Sequence, residues 1–167
     1  MKVALFGSSG LLGFAVKKEL FVRNHSCVGY SKRESESKTI PICLSDRDAI
    51  IRNLLDTWPD AVINCAAISS PDTVDRDKSF ANVINVDGAV LLAEISAHLG
   101  ARYIHVSTDM VFDGTSSPYR STDMPNPSNE YGRQKLDAEK RILSASDENL
   151  VVLRITLING NSPSGKR

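Results

Sequence analysis

Short apolar runs alternate with longer amphipathic stretches along this chain, and the alternation predicts its architecture. Residues 2–6, Lys-Val-Ala-Leu-Phe, have the length and apolarity of a strand buried on both faces. Comparable runs at 26–30, 39–44, 61–67, 102–107 and 150–155 predict five more strands. Between them, 14–22, 46–58, 79–99 and 131–144 read as helices. In the longest of these Val83, Val90, Leu91 and Ile95 recur at helical spacings, and Gly100 stops it. Ser45 is the expected cap of the second helix, and Pro59-Asp60 its end. Residues 69–78 read as a polar connection. The segment 108–129, with Gly114, Pro118, Pro125 and Pro127, reads as a long loop of the kind that tends to carry function. Apolar strands alternating with helices predict an α/β fold: a doubly wound parallel sheet with helices on both faces.

The first strand runs into Gly7-Ser8-Ser9-Gly10-Leu11-Leu12-Gly13 and then into a helix. Each glycine has its own task there. Gly7 turns the chain off the strand, Gly10 lets backbone approach a phosphate, and Gly13 lets the helix lie on the sheet. The unpaired amides and the positive end of that helix then make a seat for a pyrophosphate. An ordinary glycine-rich turn is the competing reading, and the strand and helix on either side favour nucleotide binding.

Charge narrows the function classes. Lys plus Arg and Asp plus Glu number 20 each, so no global charge draws the chain onto nucleic acid or an anionic membrane. No apolar run reads as a membrane span, and no signal-peptide pattern precedes the first strand. Cys27, Cys43 and Cys65 lie far apart in apolar runs, as reduced core residues of a cytoplasmic protein would. His25, His98 and His105 share no metal-ligand spacing and read as structural; no metal site is expected.

In a sheet of this kind ligands bind beyond the C-terminal ends of the strands. The glycine loop, Ser31-Lys32-Arg33, Ala66-Ala67-Ile68-Ser69 and Ser107-Thr108-Asp109 all fall on that edge. At the end of the second strand a dinucleotide fold commonly places an acid for the ribose of NAD. Lys32 and Arg33 stand there instead, which suits the 2′-phosphate of NADP, with a solvated charged loop as the competing reading. Tyr131 and Lys135 are four apart on one helix and share a face. A lysine ammonium beside a phenol would lower its pKa toward working pH, fitting Tyr131 to deliver a proton to a carbonyl oxygen.

Longer motifs carry a resemblance. Gly-x-x-Gly-x-x-Gly resembles the variant used by extended short-chain dehydrogenase/reductases. Ser107-Thr108-Asp109-Met110-Val111-Phe112-Asp113-Gly114 resembles the Ser-Thr-Asp-Tyr-Val-Phe-Asp-Gly signature of the dTDP-4-dehydrorhamnose reductase family. Asn126-Pro127-Ser128-Asn129-Glu130-Tyr131-Gly132-Arg133-Gln134-Lys135, with Glu139, is similar to that family's Pro-x-Asn-x-Tyr-Gly-x-x-Lys; Asn64-Cys65-Ala66-Ala67 and Asn85 fit as well.

The resemblance implies a Rossmann-type domain over 1–167, the N-terminal part of a longer protein whose substrate-binding C-terminal domain is largely absent. It implies reduction of a nucleotide-linked 4-keto-deoxysugar by NADPH or NADH. Tyr131 would be the proton donor, Lys135 would bind the nicotinamide ribose and tune Tyr131, and Thr108 would hydrogen-bond the keto oxygen. Cofactor contacts are expected at Gly7, Ser9, Gly10, Leu11, Leu12, Gly13, Ser31, Lys32, Arg33, Cys43, Leu44, Ala66, Ala67, Ser69, Ser107, Tyr131 and Lys135. The chain departs from the family pattern in four places: Cys43 replaces an adenine-contacting Asp, Met110 a Tyr, Leu157 a Trp, and Ser69 a Thr. Some relatives with this signature are regulatory subunits that bind NADP and a partner enzyme, and Ile155 and Leu157 resemble those relatives. The expected partners are therefore a nucleotide-sugar substrate, with a second copy of the chain or a partner enzyme.

Overall fold

The computed structural model describes residues 1–32, 39–145 and 147–160. Among these, six strands form one parallel sheet: β1 (Lys2–Phe6), β2 (Ser26–Ser31), β3 (Ile40–Pro41), β4 (Ala61–Asn64), β5 (Arg102–Thr108) and β6 (Leu150–Ile155). Their order is β3-β2-β1-β4-β5-β6, with β1 between β2 and β4. The chain thus reverses direction across the sheet beside β1, where such folds bind ligands. Helices α1 (Leu11–Val22), α2 (Arg47–Thr57), α5 (Gly88–Leu99) and α6 (Glu130–Leu143) supply the crossovers. Right-handed crossovers put α1 on one face and α2, α5 and α6 on the other. The main core lies under the second group, where Val62, Tyr103, Ile84, Leu92 and Ile142 pack together.

Several element boundaries differ from those the sequence pattern predicts. Helix α1 starts at Leu11, three residues before the expected start, because Gly10 sits at its cap position in extended conformation. The third strand is two residues long, not six: Pro41 has no N–H to extend the ladder, and Ile42 adds a single bond to the Ser31 carbonyl at 2.8 Å. Asp46, not Ser45, caps α2 by accepting the Ala49 amide at 3.0 Å, while the Ser45 hydroxyl turns to the Cys43 sulfur. The expected polar connection at 69–78 holds a helix, α3 (Pro71–Arg76), whose proline is pre-set for a first turn and whose Val74 is buried.

Asp77 then caps α4 (Lys78–Asn82), and a π turn at Val83–Asp87 joins it to α5. Nothing in the apolar period of 79–99 announces that turn. The continuous stretch Lys78–Leu99 is long and apolar enough to cross a membrane, against the sequence expectation, but most of it is buried in the core. Gly100 ends it in the left-handed conformation, as expected.

Candidate functional site

The glycine loop is shaped by close backbone contacts. Gly7 adopts φ 76°, and its amide and that of Ser8 both donate to the Tyr30 carbonyl, at 2.9 and 3.1 Å. A Cβ on Gly7 would lie 2.7 Å from the Ala66 nitrogen, and one on Gly13 would lie 2.1 Å from the Gly7 oxygen. These two glycines fix the loop against β4 and α1 against the loop. Gly10 is exposed, and a Cβ there would meet only the Gly7 oxygen, at 3.3 Å. Among the described residues no side chain caps α1, which leaves the first-turn amides of Leu11, Leu12 and Gly13 without a side-chain acceptor. Ser8, which the sequence reading passed over in favour of Ser9, is fully buried and donates its hydroxyl to the Tyr30 carbonyl. Ser9 is half-buried beside it.

A cleft of about 1350 Å³ opens along this edge. Gly10, Leu11, Leu12, Gly13, Ala67, Ser69, Ser107, Thr108 and Tyr131 line it, so the structure brings these sequence-predicted residues together. Ala66 holds the loop after β4 in place, its amide donating to Asn64 Oδ1 at 3.0 Å. Asn85, in the π turn, clamps the same loop: its Oδ1 accepts the Ile68 amide at 2.8 Å, and its Nδ2 donates to the Ile68 carbonyl and to Gln134 Oε1. A π turn re-aims a side chain that a regular helix would point elsewhere, which is how Asn85 reaches both partners.

The second strand's end is arranged differently. The Ser31 hydroxyl is buried against Thr39 at 2.8 Å, and the Lys32 ammonium lies 5.3 Å over the Phe80 ring. Arg33 lies outside the described residues. Leu44 and Cys43 do not line the large cleft. Leu44 is buried against Gly88 and borders a separate pocket of about 240 Å³ between α2 and α5, and Cys43 packs on the core. The short β3, which turns the chain inward at Ile42, gives both residues this placement.

Around α6 the structure supplies chemistry the spacing did not show. Asn129 caps the helix by accepting the Gly132 amide at 2.7 Å. A Cβ on Gly132 would lie 2.2 Å from the Met110 oxygen, so this glycine seats α6 against the turn at Asp109–Val111. Tyr131 is 8% exposed and its phenol has no hydrogen-bond partner among the described residues, so it faces the cleft as a donor in reserve. Burial pushes the Tyr131 pKa up, and the Asp109 carboxylate adds to this. The expected lowering by Lys135 is not what the geometry gives. Lys135 is 1% exposed and its Nζ turns away, donating to the Val106 carbonyl at 2.7 Å and contacting His105 Nε2 at 2.9 Å. Burial pulls the Lys135 pKa down to about 7, against the smaller opposing pull of Glu139 and Cys65.

Thr108 lines the cleft, but its hydroxyl donates to Asp109 Oδ1 and accepts the Met110 amide, both at 3.2 Å, capping the short turn. Ser107 donates its hydroxyl to Glu139 Oε1. Glu139, 2% exposed, also receives Arg154 at 2.7 and 3.1 Å, and the Arg154 guanidinium lies 5.1 Å over the Phe112 ring. Asp113 organises the loop beyond, accepting from Thr115, Tyr119 and Asn126. These bonds, the Thr115 amide first, hold its carboxyl well below the usual range.

The family profile described as RmlD substrate binding domain matches residues 1–166. The chain belongs to the RmlD family. Within it, methionine adenosyltransferase 2 subunit beta of Bos taurus is 40% identical over 159 residues, covering 95% of this chain and 47% of the relative. A dTDP-4-dehydrorhamnose reductase of Burkholderia thailandensis is 34% identical over 140 residues, 83% of this chain and 44% of that protein. Among solved structures, the dTDP-4-dehydrorhamnose reductase of Bacillus anthracis in complex with NADP superposes with a TM-score of 0.81 at 25% identity, over 93% of this chain and 53% of that one. The chain thus spans about half the length of the RmlD-family relatives it matches.

Proposed function

We propose that this chain binds NADP(H) and works as the dinucleotide-binding part of a beta-type subunit that assembles with a methionine adenosyltransferase. The single observation that carries the subunit reading is the 40% identity to such a subunit over 95% of the chain. The cradle suits a dinucleotide: an uncapped helix start, a side-chain-free Gly10 above it and a cleft that runs on to Tyr131. Leu11, Leu12 and Gly13 would hold the pyrophosphate by their amides. Lys32 and Arg33 would meet the 2′-phosphate, and Lys135 a ribose hydroxyl. When bound, the reduced cofactor supplies a hydride. This chain's own residues orient it, and Tyr131 holds a proton at its phenol.

A second reading has its own support. Thr108 and Tyr131 line the cleft with Lys135 buried beneath it, and the phenol is unpartnered among the described residues, which suits reduction of a nucleotide-linked 4-keto-deoxysugar. Against it, Thr108 has committed its proton to Asp109, and Met110 and Leu157 stand exposed where reductases of the family have Tyr and Trp.

The experiment uses the whole protein, a methionine adenosyltransferase catalytic subunit, NADPH and a panel of nucleotide 4-keto sugars. Co-elution with the catalytic subunit, without reduction of any sugar, is the expected result. Turnover of a sugar that drops about a hundred- to ten-thousand-fold in Tyr131→Phe would instead establish the reductase reading. Cofactor choice is a separate expectation. NADPH should bind more tightly than NADH, and Lys32→Ala with Arg33→Ala should remove the preference, a loss of roughly ten- to a hundredfold for charge-assisted phosphate contacts. Titration by nicotinamide fluorescence measures both, and equal affinities in the unmutated protein would count against the 2′-phosphate assignment.

A further inference from the structure

His105 is the buried group that neither reading uses. Strand β5 turns Tyr103, His105 and Ser107 toward α5 and α6, and His105 is fully buried there. Its ring joins two side chains: Nε2 lies 2.9 Å from Lys135 Nζ, and Nδ1 lies 3.3 Å from the Tyr103 hydroxyl. The proton order follows from chemistry. An ammonium only donates, so with Lys135 charged Nε2 must offer its lone pair and Nδ1 must carry the hydrogen. Nδ1–H then donates to the Tyr103 oxygen, which also receives Asn64 Nδ2 at 3.4 Å. Tyr103 sends its own proton to the Ala89 carbonyl at 2.9 Å. Each group has one role, and the chain ends on the backbone of α5.

We propose that His105 is a positioning residue for Lys135: its neutral imidazole takes one ammonium proton, the Val106 carbonyl takes a second, and the third is left for a hydroxyl of a ligand in the cleft. Lys135 lies one layer beneath the cleft wall, of which Val106 and Cys65 are part. The ligand half of this inference rests on the NADP(H) reading; the hold of His105 on Lys135 does not.

The surroundings make that hold consequential. Around Lys135 stand Cys65, just after β4, His105 of β5 with Tyr103 behind it, and Glu139 of α6, which is paired to Arg154 of β6; Tyr131 lies one turn earlier on α6. Burial pushes Cys65 up to about 12, raises Tyr103 and Tyr131, and keeps His105 far below its ordinary value, so all four are neutral near pH 7. Glu139 shares its charge with Arg154 and Ser107. The imidazole lone pair and the Val106 carbonyl are therefore the direct acceptors that favour the charged form of Lys135. The sign follows. Lys135, at about 7 in the folded chain, is protonated below that pH and loses its charge above it. A ligand that needs the ammonium takes up a proton on binding at higher pH, and its affinity falls by up to about tenfold per unit there.

Two measurements test the proposal. In protein labelled with carbon-13 at lysine Cε and free of ligand, the Lys135 signal, assigned by its loss in Lys135→Met, should titrate near neutrality. His105→Phe should lower that midpoint by about one unit or more, and Tyr103→Phe, which frees the imidazole to change tautomer, by a smaller step. Tyr103→Phe also serves should His105→Phe fail to fold. An unchanged Lys135 midpoint in either variant, with native circular dichroism, overturns the proposal. NADPH affinity against pH then supplies the second arm: His105→Phe should bring the alkaline loss of affinity to lower pH, and have no further effect on a Lys135→Met background. An effect of equal size on both backgrounds would mean His105 acts by packing alone. A wild-type protein that binds no NADP(H) would overturn the cofactor reading and leave the midpoint to decide the role of His105.

Discussion

Gly13→Ala is expected to destabilise the fold by about 3 kcal/mol or more and to cost at least roughly a hundredfold in NADP(H) affinity. The added Cβ would stand 2.1 Å from the Gly7 oxygen, 2.8 Å from its carbon and 2.9 Å from Ser8 Cα. All three are backbone atoms, so no rotamer change relieves the clash, and α1 or the loop must move. Helix α1 has little with which to resist: Gly13 is its single buried residue. Lifting it separates the first-turn amides from the loop held on the Tyr30 carbonyl. Gly10→Ala is the contrasting case. Its Cβ meets one atom at 3.3 Å, so stability should hold while a side chain intrudes on the phosphate seat. Urea unfolding and nicotinamide fluorescence on both variants separate the two roles. A Gly13→Ala protein with the wild-type midpoint would show that the loop is not held as described.

Glu139→Ala is expected to cost about 3 kcal/mol of stability. The carboxylate is 2% exposed and receives Ser107 and three bonds from Arg154. Its removal leaves Arg154 without its buried partner, although the guanidinium is partly open to solvent, which keeps the cost at the lower end for such pairs. The loss should also be felt at a distance. Arg154 stacks on Phe112, and Phe112 stacks on Tyr119 at 4.3 Å, so the loop at 112–126 should loosen along with β6. Hydrogen exchange should therefore rise in that loop more than in β1 or β4. Glu139→Gln should fall between, because its amide oxygen can still accept from Ser107 while its NH2 group opposes Arg154. A loss under about 1 kcal/mol in Glu139→Ala would mean the network contributes little.

The sequence by itself determined the parallel α/β architecture, the glycine loop, the end of the long helix at Gly100 and the placing of Tyr131 and Lys135 on one face of α6. Each of these depends on a short period or on the conformation of one residue, both of which are properties of local chain. Local pattern could not choose between Ser45 and Asp46 as cap, since either residue type can fill the position. It gave no sign of the π turn that aims Asn85, nor of the buried bond from Ser8 to the Tyr30 carbonyl.

Tertiary structure alone decided the electrostatics of the site. His105 and Lys135 are 30 residues apart, and β5 and α6 bring them to 2.9 Å. The charge on Lys135 is then set first by its burial and next by the opposing pull of Glu139 and Cys65, not by its spacing from Tyr131. Likewise Ser107 lines the cleft as its place in the sequence suggests, while only the fold shows that its hydroxyl donates to Glu139, 32 residues on. A pKa or a donated hydrogen bond depends on what surrounds a group in three dimensions, and the linear order of residues records only which groups are available.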